Sequence, residues 1–270
     1  MTAPVLPWLP LPDAPTFPPA GYAPLADAIA RLLGTRNDVL LIQAEAVVAL
    51  EATATSLGRP GLRALNVVTS TYGRWFGAWL RRAGAEVADL AAPEGQPVAA
   101  AALAEALAGA RFDLVALVHA ESAFGILNPL EEAAALAKAQ GALLVVDAVA
   151  SLGGHPLDVD ALGIDVAVIG PQKALGGQAG VSAVAVSPAA WARMARPGAA
   201  PSILSLADQR ALWLETGRRE LPGTPSALEF HALAQTLARV EAEGLAAIVA
   251  RHRRAAAAAR AGARQLAGRA

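Results

Sequence analysis

Short runs of apolar, often β-branched residues alternate along the chain with longer amphipathic segments. The runs predict strands at 39–42, 65–69, 114–118, 143–146, 166–169 and 181–186. Each run is apolar at nearly every position, as expected for strands that are covered on both faces of a sheet. Helices are predicted between them at 45–57, 73–84, 98–109 and 129–140. This alternation predicts an α/β fold with three layers and a mostly parallel sheet.

The two ends of the chain depart from this alternation. Residues 1–24 are rich in proline, which predicts an extended N-terminal arm lying on this subunit or on a neighbour. A helical pattern then leads to Gly34, a residue suited to a C-cap. Beyond residue 204 only helices are predicted, at 226–243 and from about 245 to 267. The Ala/Arg-rich last helix has either a solvated arginine face or a face for an acidic partner, and the former is favoured.

The composition excludes several classes of protein. Hydrophobic residues make up 55% of the chain and charged residues 17%, which indicates a large buried core and a buried subunit interface. No apolar run is long enough to span a bilayer, so no membrane is expected. The net charge of −1 and the lack of a long basic run give no sign of nucleic-acid binding.

Cysteine is absent, which excludes disulfides, thiolate metal sites and cysteine nucleophiles. The N-terminus lacks a basic segment followed by an apolar core, so no signal peptide is predicted. We therefore expect a cytoplasmic protein without a metal centre.

Lysine is scarce, and its use at position 173 indicates amine chemistry. Only two of the 22 basic residues are lysines, Lys138 and Lys173. Arginine stays charged and cannot act as a nucleophilic amine, whereas lysine can. Lys173 follows one predicted strand, and Asp147, 26 residues earlier, ends the preceding one. Because ligands bind at the carboxyl ends of parallel strands, an acid and a lysine in this order indicate a pyridoxal 5′-phosphate (PLP) site.

A third strand ends at His119, Glu121 and Ser122. The segment "HAESAFGILNPLEEAAALAKAQGALLVVDAVASLGGHPLDVDALGIDVAVIGPQKALGGQAG" resembles class V, fold-type I PLP-dependent aminotransferases, above all the alanine–glyoxylate/serine–pyruvate group. The likeness is dense over 119–180 and weaker from about 22 to 266. It implies the large domain of a PLP transferase, with a sheet of the seven-stranded type.

This resemblance implies an amino-group transfer from a small amino acid to a 2-oxo acid such as glyoxylate or pyruvate. It implies that Lys173 is the catalytic residue, which forms a Schiff base with the cofactor. The implied cofactor-binding residues are Asp147 at the pyridine nitrogen, Ser122 near the ring hydroxyl, Gln172 at the phosphate, Trp75 stacked on the ring, Thr224 reaching the cofactor of a neighbouring subunit, and His119. The role of Thr224 implies a homodimer.

The chain departs from the family pattern at several positions. The small-residue turn that holds the phosphate corresponds here to Gln43–Ala44–Glu45, and a glutamate beside a phosphate dianion is unfavourable. Leu221 stands where a tyrosine is expected. The family continues into a small C-terminal domain, so we divide the chain into the arm 1–24, a large domain 25–244, and a helix 245–270 leading to a truncated or missing small domain.

Two alternatives stay open at this point. A lyase or epimerase would use the same lysine chemistry, because the reaction depends on substrate groups that the sequence does not identify. A shortened paralogue with weak or no PLP binding would act as a non-catalytic or interaction protein. A nucleotide-binding protein is disfavoured, because the glycines of "GGQAG" follow Lys173 instead of opening a helix after the first strand.

Overall fold

The computed structural model of the chain describes residues 15–194 and 201–268. Nine strands lie in this part of the chain: β1 (Asp38–Ile42), β2 (Arg63–Val68), β3 (Glu86–Ala91), β4 (Leu114–Val118), β5 (Ala120–Glu121), β6 (Ile126–Leu127), β7 (Leu143–Asp147), β8 (Val166–Ile169) and β9 (Ser182–Val186). Seven of them form one sheet in the order β1-β9-β8-β7-β4-β2-β3, and β5 and β6 form a small hairpin. The six predicted strands are confirmed.

The sheet is mostly parallel, as the alternation predicts. β9 runs antiparallel to both of its neighbours, β8 and β1, while the other neighbouring pairs are parallel. Because β1 and β8 both oppose β9, they share the direction of β7, β4, β2 and β3. Six strands therefore have their carboxyl ends at the same edge, and the loops at that edge are the expected place for a ligand.

Ten α-helices lie in the described residues: α1 (Tyr22–Leu33), α2 (Ala46–Leu57), α3 (Thr71–Arg82), α4 (Ala100–Gly109), α5 (Leu130–Gln140), α6 (Val159–Leu162), α7 (Pro188–Trp191), α8 (Leu206–Trp213), α9 (Ala227–Glu243) and α10 (Leu245–Ala267). α1 ends at Gly34 in the left-handed conformation, with φ of 60°, so the predicted C-cap is confirmed. Among the described residues, no helix has both the length and the apolar character needed to cross a membrane.

The core lies on both faces of the sheet. Every residue of β4, β7, β8 and β9 is buried, which is possible only when helices cover both faces. α10 differs, because Ile248 is the only buried residue among its 23. The apolar residues of the sequence thus lie in two places: many are in the core, and the alanines of this last helix are mostly exposed.

The edge strand β3 was not predicted. Its residues include Glu86 and Asp89, and all six are exposed or partly exposed. An edge strand pairs on one side only and needs no continuous apolar run, so the hydrophobic pattern gives no signal there.

The described part of the N-terminal arm lies on the body of the subunit. The Phe17 ring packs 5.3 Å from the Tyr22 ring and 5.6 Å from the Phe230 ring, measured between centroids. His231 Nε2 donates a hydrogen bond of 3.0 Å to the Pro15 carbonyl. Residues 1–14 of the predicted arm lie outside the described residues, and α1 begins at Tyr22, so the last three residues of the predicted arm are helical.

Asn128 ties together the strand ends that carry the candidate site. Its side chain is 2% exposed. The Nδ2 group donates to Thr69 Oγ1, just after β2, at 3.0 Å and to the Val118 carbonyl, at the end of β4, at 2.8 Å. Its Oδ1 accepts from the Val98 amide at 3.0 Å. Since all three partners are held by one buried amide, the loops after β2 and β4 keep a fixed separation.

Candidate active site

One cavity lies at the carboxyl ends of the parallel strands. Its wall includes residues from five segments of the chain: Glu45 after β1, Tyr72 in the first turn of α3, Ser122 after β5, Asp147 at the end of β7 and Lys173 after β8. Apolar side chains of α2 and β4 complete the wall on the inner side. The structure therefore brings together three of the predicted site residues, namely Lys173, Asp147 and Ser122.

Asp147 is the deepest charged group of the cavity. It pairs in the sheet between β4 and β8, and 9% of its surface is exposed. Burial raises the pKa of this carboxyl to about 7. The hydrogen bond from the Val149 amide lowers the pKa in part, and the nearby charges of Glu121 and Glu45 raise it further. The charge of Lys173 lowers it. The raised pKa means that this carboxyl readily shares a proton with a basic nitrogen placed against it.

Lys173 lies opposite Asp147, in the loop that follows β8. Its Nζ donates a hydrogen bond of 3.3 Å to Ser122 Oγ. Two backbone bonds fix the loop, from the Gly176 amide to the Lys173 carbonyl at 2.9 Å and from the Gly177 amide to the Pro171 carbonyl at 2.7 Å. The amine is exposed and faces the cavity, so it can reach the carbonyl carbon of a ligand placed against Asp147.

The aromatic residue in the wall is Tyr72, whereas Trp75, which the resemblance places on the ring, lies outside the wall. Trp75 lies one helical turn farther along α3, is 45% exposed, and is not among the residues that line the cavity. Its ring instead packs 5.6 Å from Tyr72 and 6.2 Å from Trp79. Gly73 sets the rotation of α3 about its own axis, because it lies against β2 and a Cβ at this position would be only 2.8 Å from the Val67 carbonyl oxygen. This close contact of α3 with β2 turns Tyr72 towards Asp147.

Glu45 occupies the beginning of α2. Its Oε2 accepts a hydrogen bond of 2.9 Å from the Val47 amide, so the side chain is the N-cap of the helix. Its Oε1 accepts one of 2.7 Å from Gln172 Nε2. The predicted phosphate contact Gln172 is therefore bonded to a carboxylate, and its own Oε1 is buried without a partner. Gln43, two residues before Glu45, bonds to the backbone of Thr224 and Ser226 instead.

The side chain of His119 does not enter the cavity. The residue is 5% exposed, and its ring lies 5.8 Å from that of His155 on the other side of the strand end. Burial, with a smaller contribution from His155, lowers the pKa of His119 to about 4, so the imidazole is neutral. Its backbone amide donates to the Asp147 carbonyl at 3.0 Å. His119 thus contacts Asp147 through its backbone, and a contact of its ring with a cofactor stays a prediction.

Thr224 also lies away from the cavity of its own subunit. It is exposed, and its carbonyl accepts a hydrogen bond of 3.4 Å from Gln43 Nε2. A role for its hydroxyl at a neighbouring subunit stays a prediction.

Glu121 is a site residue that the motif contains but that sequence reasoning left without a role. It is 2% exposed and lines the cavity beside Ser122. Its Oε1 accepts from the Ala123 amide at 2.9 Å, while Oε2 is buried without a partner. Its position three residues beyond the end of β4 was a usable signal, because a polar residue that close to the end of a buried strand is a candidate for the site.

Comparison with known proteins finds a family model and several relatives. A model of the family described as aminotransferase class-V matches residues 21–269. The chain is 35% identical to pyridoxamine–pyruvate transaminase of Mesorhizobium japonicum over 247 residues, which is 89% of this chain and 62% of that protein. It is 37% identical to 2-aminoethylphosphonate–pyruvate transaminase of Burkholderia pseudomallei over 179 residues, 66% of this chain and 48% of that protein.

Two solved structures have the same fold. Pyridoxamine–pyruvate aminotransferase from Mesorhizobium loti superposes with a TM-score of 0.80 at 32% identity, covering 87% of this chain and 60% of that one. Alanine–glyoxylate aminotransferase from a Nostoc species also gives 0.80, at 30% identity, with 87% and 62% covered. The chain thus spans about half to three fifths of the length of these proteins.

Proposed function

The chain therefore belongs to the class-V aminotransferase family, and from this premise we propose that it transfers an amino group from a small amino acid to a 2-oxo acid of the pyruvate or glyoxylate type. The family is PLP-dependent. The observation that carries the proposal is that Lys173 and Asp147 line one cavity, with Ser122 bonded to the lysine amine. An amine facing a buried carboxyl is the arrangement that pyridoxal chemistry requires.

The described residues fit the pyridine ring of PLP. When bound, this ring supplies an electron sink for charge that develops on the substrate. Asp147, with its pKa of about 7, holds or releases the proton that a pyridine nitrogen shares with it. Tyr72 supplies a flat aromatic surface beside it, and Lys173 Nζ is the basic group in the wall that can accept the proton leaving the substrate Cα.

The same residues do not fit the phosphate of PLP. Family members are expected to hold it at a helix N-terminus, where backbone amides bind anions. Here the Glu45 carboxylate already accepts from the Val47 amide and from Gln172. We assign no role to the phosphate in this chain.

The names of the relatives support a pyruvate-type acceptor. Two of them are named for transfer to pyruvate and one structure for transfer to glyoxylate, whereas their amino donors differ. We propose the acceptor class on this basis and leave the donor as a small amino compound. The alternative of a non-catalytic paralogue is not favoured, because these relatives are named as transaminases.

We also propose a cytoplasmic homodimer. The lack of cysteine suits a reducing compartment. Thr224, exposed at the end of a loop, is available to reach a second copy of this chain, as the family resemblance implies.

The chain itself offers a matched test, because it has only two lysines. The purified protein is incubated with pyridoxal or with PLP, reduced with borohydride, and digested for peptide mass mapping. We expect the ring to be found on Lys173 and not on Lys138, which lies in the last turn of α5. Lys173→Ala should abolish the conjugate, while Lys138→Ala keeps it. Equal labelling of both lysines, or none at Lys173, would refute the proposed function.

A further inference from the structure

The Glu45 carboxylate occupies the place at the start of α2 where an incoming phosphate would bind. The first amides of a helix attract an anion, because they lack partners in the helix and lie at the positive end of its dipole. In α2 this position is taken by Glu45, which bonds to the Val47 amide at 2.9 Å and to Gln172 at 2.7 Å. An incoming phosphate would have to displace both bonds and then share the space with a negative charge.

The charges of the whole wall point in the same direction. Three carboxyl groups line the cavity, those of Glu45, Glu121 and Asp147, against one amine, that of Lys173, among the described residues. One oxygen of Glu121 accepts from the Ala123 amide and the other is buried without a partner, so neither oxygen is bonded to a cation. Such a wall disfavours a dianion and favours a ligand that is neutral or cationic.

Resting on the function proposed above, we propose that Glu45 is a specificity-determining residue and that the cavity binds pyridoxal or pyridoxamine without the 5′-phosphate. The pyridine ring lies against Asp147 and Tyr72, with its reactive carbon towards Lys173. Glu45 then faces the 5′ substituent, where a hydroxyl can donate a hydrogen bond to the carboxylate and a phosphate cannot. An unphosphorylated ring ligand is held by fewer charges and can be exchanged as a substrate.

Pyridoxamine and pyridoxamine 5′-phosphate are the probes for this inference, because they differ only in the phosphate and form no bond to lysine. Their dissociation constants are measured by equilibrium dialysis with the purified full chain. Loss of an N-cap corresponds to roughly a tenfold change in an equilibrium constant. We therefore expect the phosphate ester to bind at least about tenfold more weakly than pyridoxamine.

The variant Glu45→Ser removes the carboxylate and keeps a hydroxyl that can cap α2. We expect it to remove most of the preference by improving binding of the phosphate ester about tenfold. Asp158→Ser is the matched control, because Asp158 caps α6 through the Ala161 amide at 2.9 Å and is not part of the cavity wall. It should leave the ratio of the two constants unchanged.

The outcomes separate the two proposals. The role of Glu45 would be overturned if the wild-type chain bound the phosphate ester more tightly than pyridoxamine. It would also be overturned if a folded Glu45→Ser variant kept the wild-type ratio of the two dissociation constants. In both cases labelling of Lys173 would still uphold the proposed function. Absence of any conjugate at Lys173 with either aldehyde would overturn the proposed function, and the inference with it. Far-ultraviolet circular dichroism establishes that each variant is folded.

Discussion

Replacing Asp147 by asparagine should stabilise the ligand-free protein at neutral and alkaline pH. The carboxyl is buried, and its pKa is raised from 3.8 to about 7. Asparagine has the same shape, and its Oδ1 can still accept the bond that the Val149 amide gives to Asp147 at 3.0 Å. The variant therefore removes the ionisable carboxyl and keeps the hydrogen bond from the Val149 amide.

The size of the effect follows from the pKa. An unfolded aspartate loses its proton near 3.8 and the folded one near 7, so between these values the folded state binds more protons. The free energy of unfolding of the wild type then falls as pH rises through this window. About three pKa units at roughly 1.4 kcal/mol each give an order of 4 kcal/mol. The stability of Asp147→Asn relative to the wild type should rise by that amount between about pH 4 and pH 8.

Urea unfolding of the ligand-free proteins, followed by tryptophan fluorescence over this pH range, measures the difference. Asp160→Asn is a control with the opposite sign, because hydrogen bonds from Thr35 and then Arg36 lower the pKa of Asp160. That variant should be less stable than the wild type at neutral pH. A stability difference for Asp147→Asn that does not vary with pH would refute the view that the folded protein contains an uncompensated buried carboxyl.

Other substitutions test the rest of the site. Tyr72→Ala should weaken binding of pyridoxamine severalfold in equilibrium dialysis, whereas Trp75→Ala should leave it nearly unchanged because Trp75 does not line the cavity. Asn128→Ala should lower the free energy of unfolding by roughly 1–3 kcal/mol in urea, since buried partners lose their bonds. His119→Gln should reduce the loss of stability in acid: the unfolded histidine binds a proton below about pH 6.5 and the folded one only near pH 4, so the wild type is destabilised as pH falls through this window.

Much of the fold was predictable because the central strands are buried on both faces. Continuous apolar runs mark such strands directly, and the residue that ends each run is then a candidate for the site. Asp147 and Lys173 were found in this way, since their places depend only on where β7 and β8 end. β3 was missed because an edge strand needs no such run.

The remaining site residues depend on side-chain directions that a sequence does not contain. Tyr72 and Trp75 are three residues apart on α3, so both are near the same face, and the contact of Gly73 with β2 decides which one faces the cavity. The conformation of Glu45 is set by the free amides of α2. His119 lies in a recognisable motif, but its ring turns towards His155 and only its backbone supports Asp147.

The exposed helix α10 changes how the hydropathy of this chain should be understood. Only Ile248 of its 23 residues is buried, so tertiary packing contributes little to holding the helix together. Alanine and arginine, its main constituents, rank among the strongest intrinsic helix formers. Alanine on this helix therefore acts through backbone conformational preference and adds little to the core. Amide hydrogen exchange should detect the difference, with protection in α10 far below that of β7 and β8, because its opening does not require the sheet to open.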